Sequence, residues 1–204
     1  MTVTTPQGFR AAGVVAGLKS SGSKDVAVVV NDGPLTAAAG VFTRNRVKAA
    51  PVLWSQQVLK AGAVRAVVLN SGGANACTGP DGFLDTHRTA EHLAGALEIG
   101  AGEVAVCSTG LIGQRLPTDK LFAGVDAAVA GLSADGGGDA AAAIMTTDSV
   151  PKTAEAVRGG WSVGGMAKGA GMLAPSLATM LVVVTTDAVA DADTLDRALR
   201  AATR

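Results

Sequence analysis

Small and apolar residues alternate from Gly8 to Leu18. A polar loop, Lys19-Ser-Ser-Gly-Ser-Lys24, then separates them from an unbroken apolar run, Val26–Val30. A β-branched run without a polar break predicts a buried strand. The turn Asn31-Asp-Gly-Pro34 ends it and predicts a hairpin, with Ala37–Phe42 as a second, exposed strand. Further strands are expected over Val64–Leu69, Val104–Cys107, Trp161–Ala167 and Thr179–Thr186. Helical spacing runs from Asp81 to Leu97, with Asp81 as a candidate cap and Gly100 as a stop. Pro117–Leu132 reads as a helix with proline in its first turn. Shorter helices are expected over Ser55–Ala61, Ala140–Met145 and Asp193–Ala202, and Ser133-Ala-Asp-Gly-Gly-Gly-Asp139 reads as a loop. Strands alternating with helices give an α/β class, and glycines inside the strands argue against a simple doubly wound sheet.

The junction Ala178–Thr179 carries the sharpest candidate chemistry. The glycine-rich run Lys168-Gly-Ala-Gly171 leads through Pro175 to these two small residues, and a β-branched run follows. A threonine at a strand mouth, preceded by a residue with almost no side chain, suits a self-cleaving peptide bond. The freed α-amine has a reference pKa of about 7.7–8.0. It can serve as general base for its own hydroxyl near neutral pH, with no histidine required. The plain alternative is a threonine that starts a strand.

Three more constellations follow strands or loops. Asn70-Ser-Gly-Gly-Ala-Asn-Ala-Cys-Thr-Gly79 offers either backbone N–H groups for an anion or a tight packed turn. In Cys107-Ser-Thr-Gly110, the Thr109 hydroxyl and the unhindered Gly110 N–H could form an oxyanion hole. Replacing either is expected to slow acyl transfer with modest effects on folding. In Met145-Thr-Thr-Asp148, Thr146 and Thr147 could hold a substrate, or Asp148 could cap a local turn. Lys168, set among glycines, has room to reach a carboxylate, although most lysines are solvated surface charges.

Composition narrows the field. The 204 residues suffice for one domain with a real core. Lys+Arg equals Asp+Glu at 17 each, so no basic field points to nucleic acid or an anionic membrane. The longest apolar run, near Met180–Val184, is strand length and not a membrane span. The start, Met-Thr-Val-Thr-Thr-Pro, is not a secretory signal. Cys77 and Cys107 are expected reduced and buried in a cytoplasmic protein, with a bridge not excluded by sequence. His87 and His92 stand about 140° apart on a helix and do not share a metal. Gly169-Ala-Gly-Met-Leu-Ala174 imitates a dinucleotide loop, but Pro175 interrupts the helix such a loop needs. No metal or cofactor is expected.

Taken together, Asn70–Gly79, Ser108-Thr-Gly110, Thr146-Thr-Asp148 with Pro151-Lys152, and the long run Gly164–Leu181 resemble the ornithine acetyltransferase family of arginine biosynthesis, also called glutamate N-acetyltransferase or ArgJ. The resemblance begins at Gly8–Gly17 and runs to the chain end. Family members are about twice this long, so it implies an N-terminal half. The chain stops at Arg204 in mid-helix; an incomplete polypeptide and a frayed natural end both stay open.

The resemblance implies a layered sandwich of mixed sheets flanked by helices, of the N-terminal-nucleophile type. It implies a precursor cut between Ala178 and Thr179 into an α-chain, residues 1–178, and a β-chain beginning at 179, assembled as two α and two β chains. Thr179 would take the acetyl group from N-acetylornithine and pass it to glutamate, and some members also use acetyl-CoA. Thr109 and Gly110 match the oxyanion pair. Thr146, Lys168 and Thr179 match substrate contacts. Gly73 stands where the family commonly has asparagine. The rival readings are an autoprocessing amidase or aminopeptidase of related architecture, and an inactive or merely binding fragment.

Overall fold

The valine run becomes the middle of the larger of two sheets. A computed structural model describes residues 2–171 and 179–203. Strands β1 (Phe9–Val14), β2 (Val26–Asn31), β3 (Ala66–Asn70) and β4 (Val104–Ser108) lie in that order. β2 is antiparallel to both neighbours, whereas β3 and β4 run parallel. Both faces are covered. On one, Val26, Val28, Val30, Val68 and Val106 meet helix α2 (Gly79–Leu97) at Ala90 and Leu93. The same core takes in Leu121 and Val125 of α3 (Thr118–Ala130). Helix α1 (Ala50–Val58) adds Trp54, whose indole N–H donates to the Val104 carbonyl at 2.9 Å. On the other face Ala27, Val29 and Leu69 pack against Ala140, Ala141 and Ala143 of α4 (Gly137–Ala143), with Val3 and Ile144.

The second sheet holds β5 (Lys152–Arg158), β6 (Trp161–Lys168) and β7 (Leu181–Thr186), antiparallel throughout with β6 central. Along β6 burial alternates: Ser162, Gly164, Met166 and Lys168 point inward, and Trp161 is exposed. Met166 joins the core beneath α4. The layers are therefore helices, four-stranded sheet, a thin layer built on α4, then three-stranded sheet. Helix α5 (Ala192–Ala202) follows β7 and is capped by Asp191, whose carboxylate accepts from the Thr194 N–H at 2.8 Å. The α/β sandwich of mixed sheets is the expected one.

Several expectations shift. The hairpin forms between β1 and β2; Ala37–Phe42 is no strand and contributes a single bridge, Ala37 to Ala63. α1 starts at Ala50, with Pro51 in its first turn. Asp81 lies inside the first turn of α2, and Pro117 is the cap of α3. The glycine run read as a loop already opens α4. A Cβ on Gly137 would lie 1.7 Å from the Thr2 hydroxyl oxygen, so a side chain has no room where this helix meets the N-terminal segment. β5 went unforeseen. Both cysteines are free, and Cys77 is exposed, not buried.

Candidate active site

β3 and β4 end side by side, and their loops leave together. The Asn70 side-chain amide donates to Ser108 Oγ at 2.7 Å, and the Thr109 N–H donates to the Asn70 carbonyl at 3.0 Å. Beyond them the Ala74 N–H donates to the Leu111 carbonyl, and the Gly113 N–H to that of Ala76, both at 2.8 Å. Asn75 is left-handed, with φ 47°, and its amide ties the loop to α2 through the Gly82 carbonyl and the Thr86 hydroxyl. The run 70–79 is thus a packed turn. Gly110 has φ +133°, and a Cβ there would lie 2.8 Å from the backbone nitrogen of Gly73. An alanine at 110 therefore strains the backbone and pushes the two loops apart, which corrects the expectation of a modest folding effect. At Gly73 a Cβ would lie 3.1 Å from the end of the Leu116 side chain and 3.9 Å from the Leu111 carbonyl oxygen.

Lys168 closes β6 on its inward side and is only 4% exposed. This overturns the ordinary expectation of a solvated lysine. Its ammonium donates to Thr109 Oγ1 and to the Thr179 carbonyl, each at 3.2 Å. One side chain thus joins the loop after β4, the strand end of β6 and the candidate nucleophile. Burial lowers the pKa of Lys168; Asp148 opposes that shift and Lys152 adds to it. Thr109 is buried and accepts from the ammonium, so its own hydroxyl proton remains available to donate. Gly110, next in the chain, is exposed, as is Thr179. Ala178 lies outside the described residues.

Asp148 organises the neighbouring wall. It pairs with Lys152 and accepts N–H bonds from Gly169 at 2.8 Å and Thr146 at 3.2 Å. Burial disfavours its charge, but the Lys152 contact and the two N–H bonds outweigh that and hold its pKa at about 2. The local cap read from the sequence is real, and it also fixes Gly169, directly after Lys168. Thr146 therefore reaches the Lys168 group through Asp148, and Thr147 beside it is exposed.

Two residues of this region went unnoticed in the sequence. Lys19 donates from its ammonium to the Met145 carbonyl at 2.8 Å, directly before Thr146. Asp25, fully buried, accepts from the backbone N–H groups of Ala16, Leu18 and Lys19 at 2.6, 2.6 and 2.9 Å and so shapes the loop that presents Lys19. An aspartate set between the polar loop and the apolar run Val26–Val30 was the available signal for Asp25. The histidines stay apart from the site: His92 lies 2.7 Å from Asp126 and stacks on Phe122, and His87 is 3.5 Å from Glu91. Among the described residues no three His, Cys, Asp or Glu are grouped to hold a metal, and no helix is long and apolar enough to cross a membrane.

The model of the ArgJ family matches residues 10–204. The chain is 70% identical over 204 residues to the arginine biosynthesis bifunctional protein ArgJ of Streptomyces avermitilis, covering all of this chain and 53% of that one. It is 67% identical over 208 residues to the protein of that name from Mycobacterium tuberculosis, covering 98% and 52%. The chain thus spans about half the length of the curated relatives it matches. Among solved structures, ornithine acetyltransferase of M. tuberculosis complexed with ornithine superposes with a TM-score of 0.84 at 63% identity, covering 88% of this chain and 96% of that one. The ArgJ protein of Bacillus halodurans gives 0.78 at 35%, covering 89% and 95%.

Proposed function

Because the chain belongs to the ArgJ family, we propose that it is the N-terminal part of an acetyltransferase of arginine biosynthesis, moving an acetyl group from N-acetylornithine to glutamate through Thr179. The observation that carries this reading is the Lys168 bridge between Thr109 and Thr179. It ties the backbone carbonyl of the candidate nucleophile and the hydroxyl of a candidate oxyanion donor to one cation.

Maturation begins with attack of the Thr179 hydroxyl on the Ala178 carbonyl carbon. The C–N bond breaks, an ester forms, and water releases it to leave a free α-amine on Thr179. That amine then takes the hydroxyl proton as Thr179 attacks the acetyl carbonyl of N-acetylornithine. Ornithine leaves with the proton, and an acetyl ester stays on Thr179. The glutamate amine attacks the ester in turn, restoring the hydroxyl. In each step the Thr109 hydroxyl and the Gly110 N–H donate to the oxygen that becomes negative. The Lys168 ammonium has three donors and uses two on Thr109 and Thr179, leaving one for a substrate carboxylate. Thr146, on the neighbouring wall held by Asp148, is a further substrate contact.

Chain lengths support the cut. The two solved chains are covered over 95–96% by a match of about 180 residues, while curated sequences are covered over about half. A chain ending near residue 178 has that length. We further infer α-chain and β-chain products that stay together as two of each in the cytoplasm, with acetyl-CoA as an alternative donor.

In the full-length chain, Thr179→Ala should give one uncut polypeptide; two fragments would overturn the mechanism. Labelled N-acetylornithine should acetylate the fragment starting at Thr179, and glutamate should discharge it. Discharge by water at the same rate without glutamate would make the protein an amidase.

A further inference from the structure

Lys168 is buried, yet among the described residues its ammonium donates only to neutral oxygens, those of Thr109 and Thr179. A buried charge with no opposite charge nearby is costly. The opposite charge lies one residue along the chain. Asp148 accepts from the N–H of Gly169, which follows Lys168, at 2.8 Å. Gly169 has φ 153°, a backbone conformation that side chains rarely adopt. The carboxylate thus holds the chain where it turns out of β6. It also accepts from the Thr146 N–H at 3.2 Å and pairs with Lys152, the first residue of β5, whose register sets it opposite Ala167 of β6. The pair is lopsided: the Asp148 side chain is 1% exposed and that of Lys152 43%. Solvent screens the lysine more than the aspartate, so a net negative charge remains beside Gly169.

We propose that Asp148 is a positioning residue for Lys168: it fixes the strand end from which the ammonium reaches Thr109 and Thr179, and it supplies the counter-charge, which Lys152 tempers. The inference rests on the acetyl-transfer reading and adds to it two residues that act through Lys168. Both half-reactions meet the ammonium in one place only if its strand end does not move. The charges act in a definite order. Burial disfavours the charged form of Lys168, Asp148 favours it, and Lys152 disfavours it. The two members of one ion pair therefore pull Lys168 in opposite senses. The other charged groups around the site are Lys19, which donates to the Met145 carbonyl on the Asp148 loop, Asp25 behind it, and the α-amine that the proposed cut would free on Thr179. Thr109, on the loop after β4, is neutral.

The test uses the full-length processed protein and breaks one ion pair from either end. Asp148→Asn keeps the size of the side chain and removes its charge; Lys152→Met leaves Asp148 in place without its partner. NMR of protein labelled at the lysine ε-carbons, with Lys168 assigned by its loss in Lys168→Arg, reads the Lys168 titration directly and without substrate. Its midpoint should fall in Asp148→Asn and rise in Lys152→Met. The alkaline limb of the pH profile of acetyl transfer should follow, to lower pH in the first and to higher pH in the second. At neutral pH, kcat/KM should fall about tenfold in Asp148→Asn for N-acetylornithine and glutamate alike, the worth of a hydrogen bond to a charged group. Both variants lose the same ion pair, so a merely structural role would move both the same way or neither, and either result overturns the proposal. Opposed midpoints with kcat/KM unchanged in Asp148→Asn would overturn the positioning role. Where Asp148→Asn does not mature, Lys152→Met decides, and a Lys168 midpoint that falls or stays overturns the counter-charge. Opposed midpoints in a protein that moves no acetyl group would sink the transferase reading and leave the hold of Asp148 on Lys168 standing.

Discussion

β2 and β7 are both rich in valine, and they live in different surroundings. Val26, Val28 and Val29 of β2 are 0–3% exposed, because helices cover one face of their sheet and α4 the other. Val182 and Val184 of β7 are 47% and 52% exposed, because only the inner face of the second sheet is covered among the described residues. Residue type is the same; the number of layers differs. The candidate site lies where the doubly covered sheet meets the singly covered one. Lys168 is buried there because the loop after β4 and the Asp148 wall close over a strand end that would otherwise lie open.

The sharpest way to break this contrast is a matched pair of truncations. Leu69→Ala, in the doubly covered sheet, should destabilise the chain by about 2–5 kcal/mol. Val184→Ala should stay within about 0.5 kcal/mol. Urea denaturation of both variants checks this, and equal costs would mean that the outer sheet is covered after all. Next in size is Thr109→Val at the seam. It removes a donor and a partner of Lys168, and should slow acetyl transfer by the full-length protein about 10²–10³-fold. A steady-state assay with unchanged turnover would remove Thr109 from the oxyanion role.

The smallest effect belongs to Asp148. Its folded pKa of about 2 lies below the unfolded value of 3.8. The carboxylate therefore contributes stability that is fully present above about pH 4 and fades as pH falls toward 2. The contribution is about 1–2 kcal/mol, reduced because its partner Lys152 is partly exposed to solvent. Thermal melts of wild type and Asp148→Asn should differ at pH 6 and converge near pH 2. A gap that persists at pH 2 would point to packing and not charge.

The doubly covered sheet was the more legible of the two. Val26–Val30 and Val104–Cys107 showed as short apolar runs, α2 through its helical spacing and α3 through its proline start. Beside them, β1 was only an alternation of small and apolar residues, since Ala11, Ala12 and Gly13 carry little hydrophobic signal. β5 was silent because Lys-Thr-Ala-Glu-Ala-Val-Arg pairs through its backbone at an exposed edge, where side chains report nothing. Of the site, Thr109, Gly110, Thr146 and Thr179 were named from local motifs and family resemblance. The burial of Lys168 was readable in principle. Counting by twos from Ser162 through Gly164 and Met166 places it on the inward face. Lys19 was beyond reach, since it meets Met145 across 126 residues of sequence.

The register of β6 and β7 has a consequence in time. Lys168 pairs with Leu181, so Ala178–Thr179 falls within the connection between two neighbouring strands of one sheet. Six residue pairs stand behind that connection, and a cut in it touches none of them. Ends nicked after the ladder forms are already docked; ends made earlier would have to find each other by diffusion. Folding before the proposed cut would thus keep the two pieces in one-to-one stoichiometry from a single message, with no assembly step between them. A gene rearranged to begin at Thr179, its old ends joined by a linker, would present the same strand without the cut.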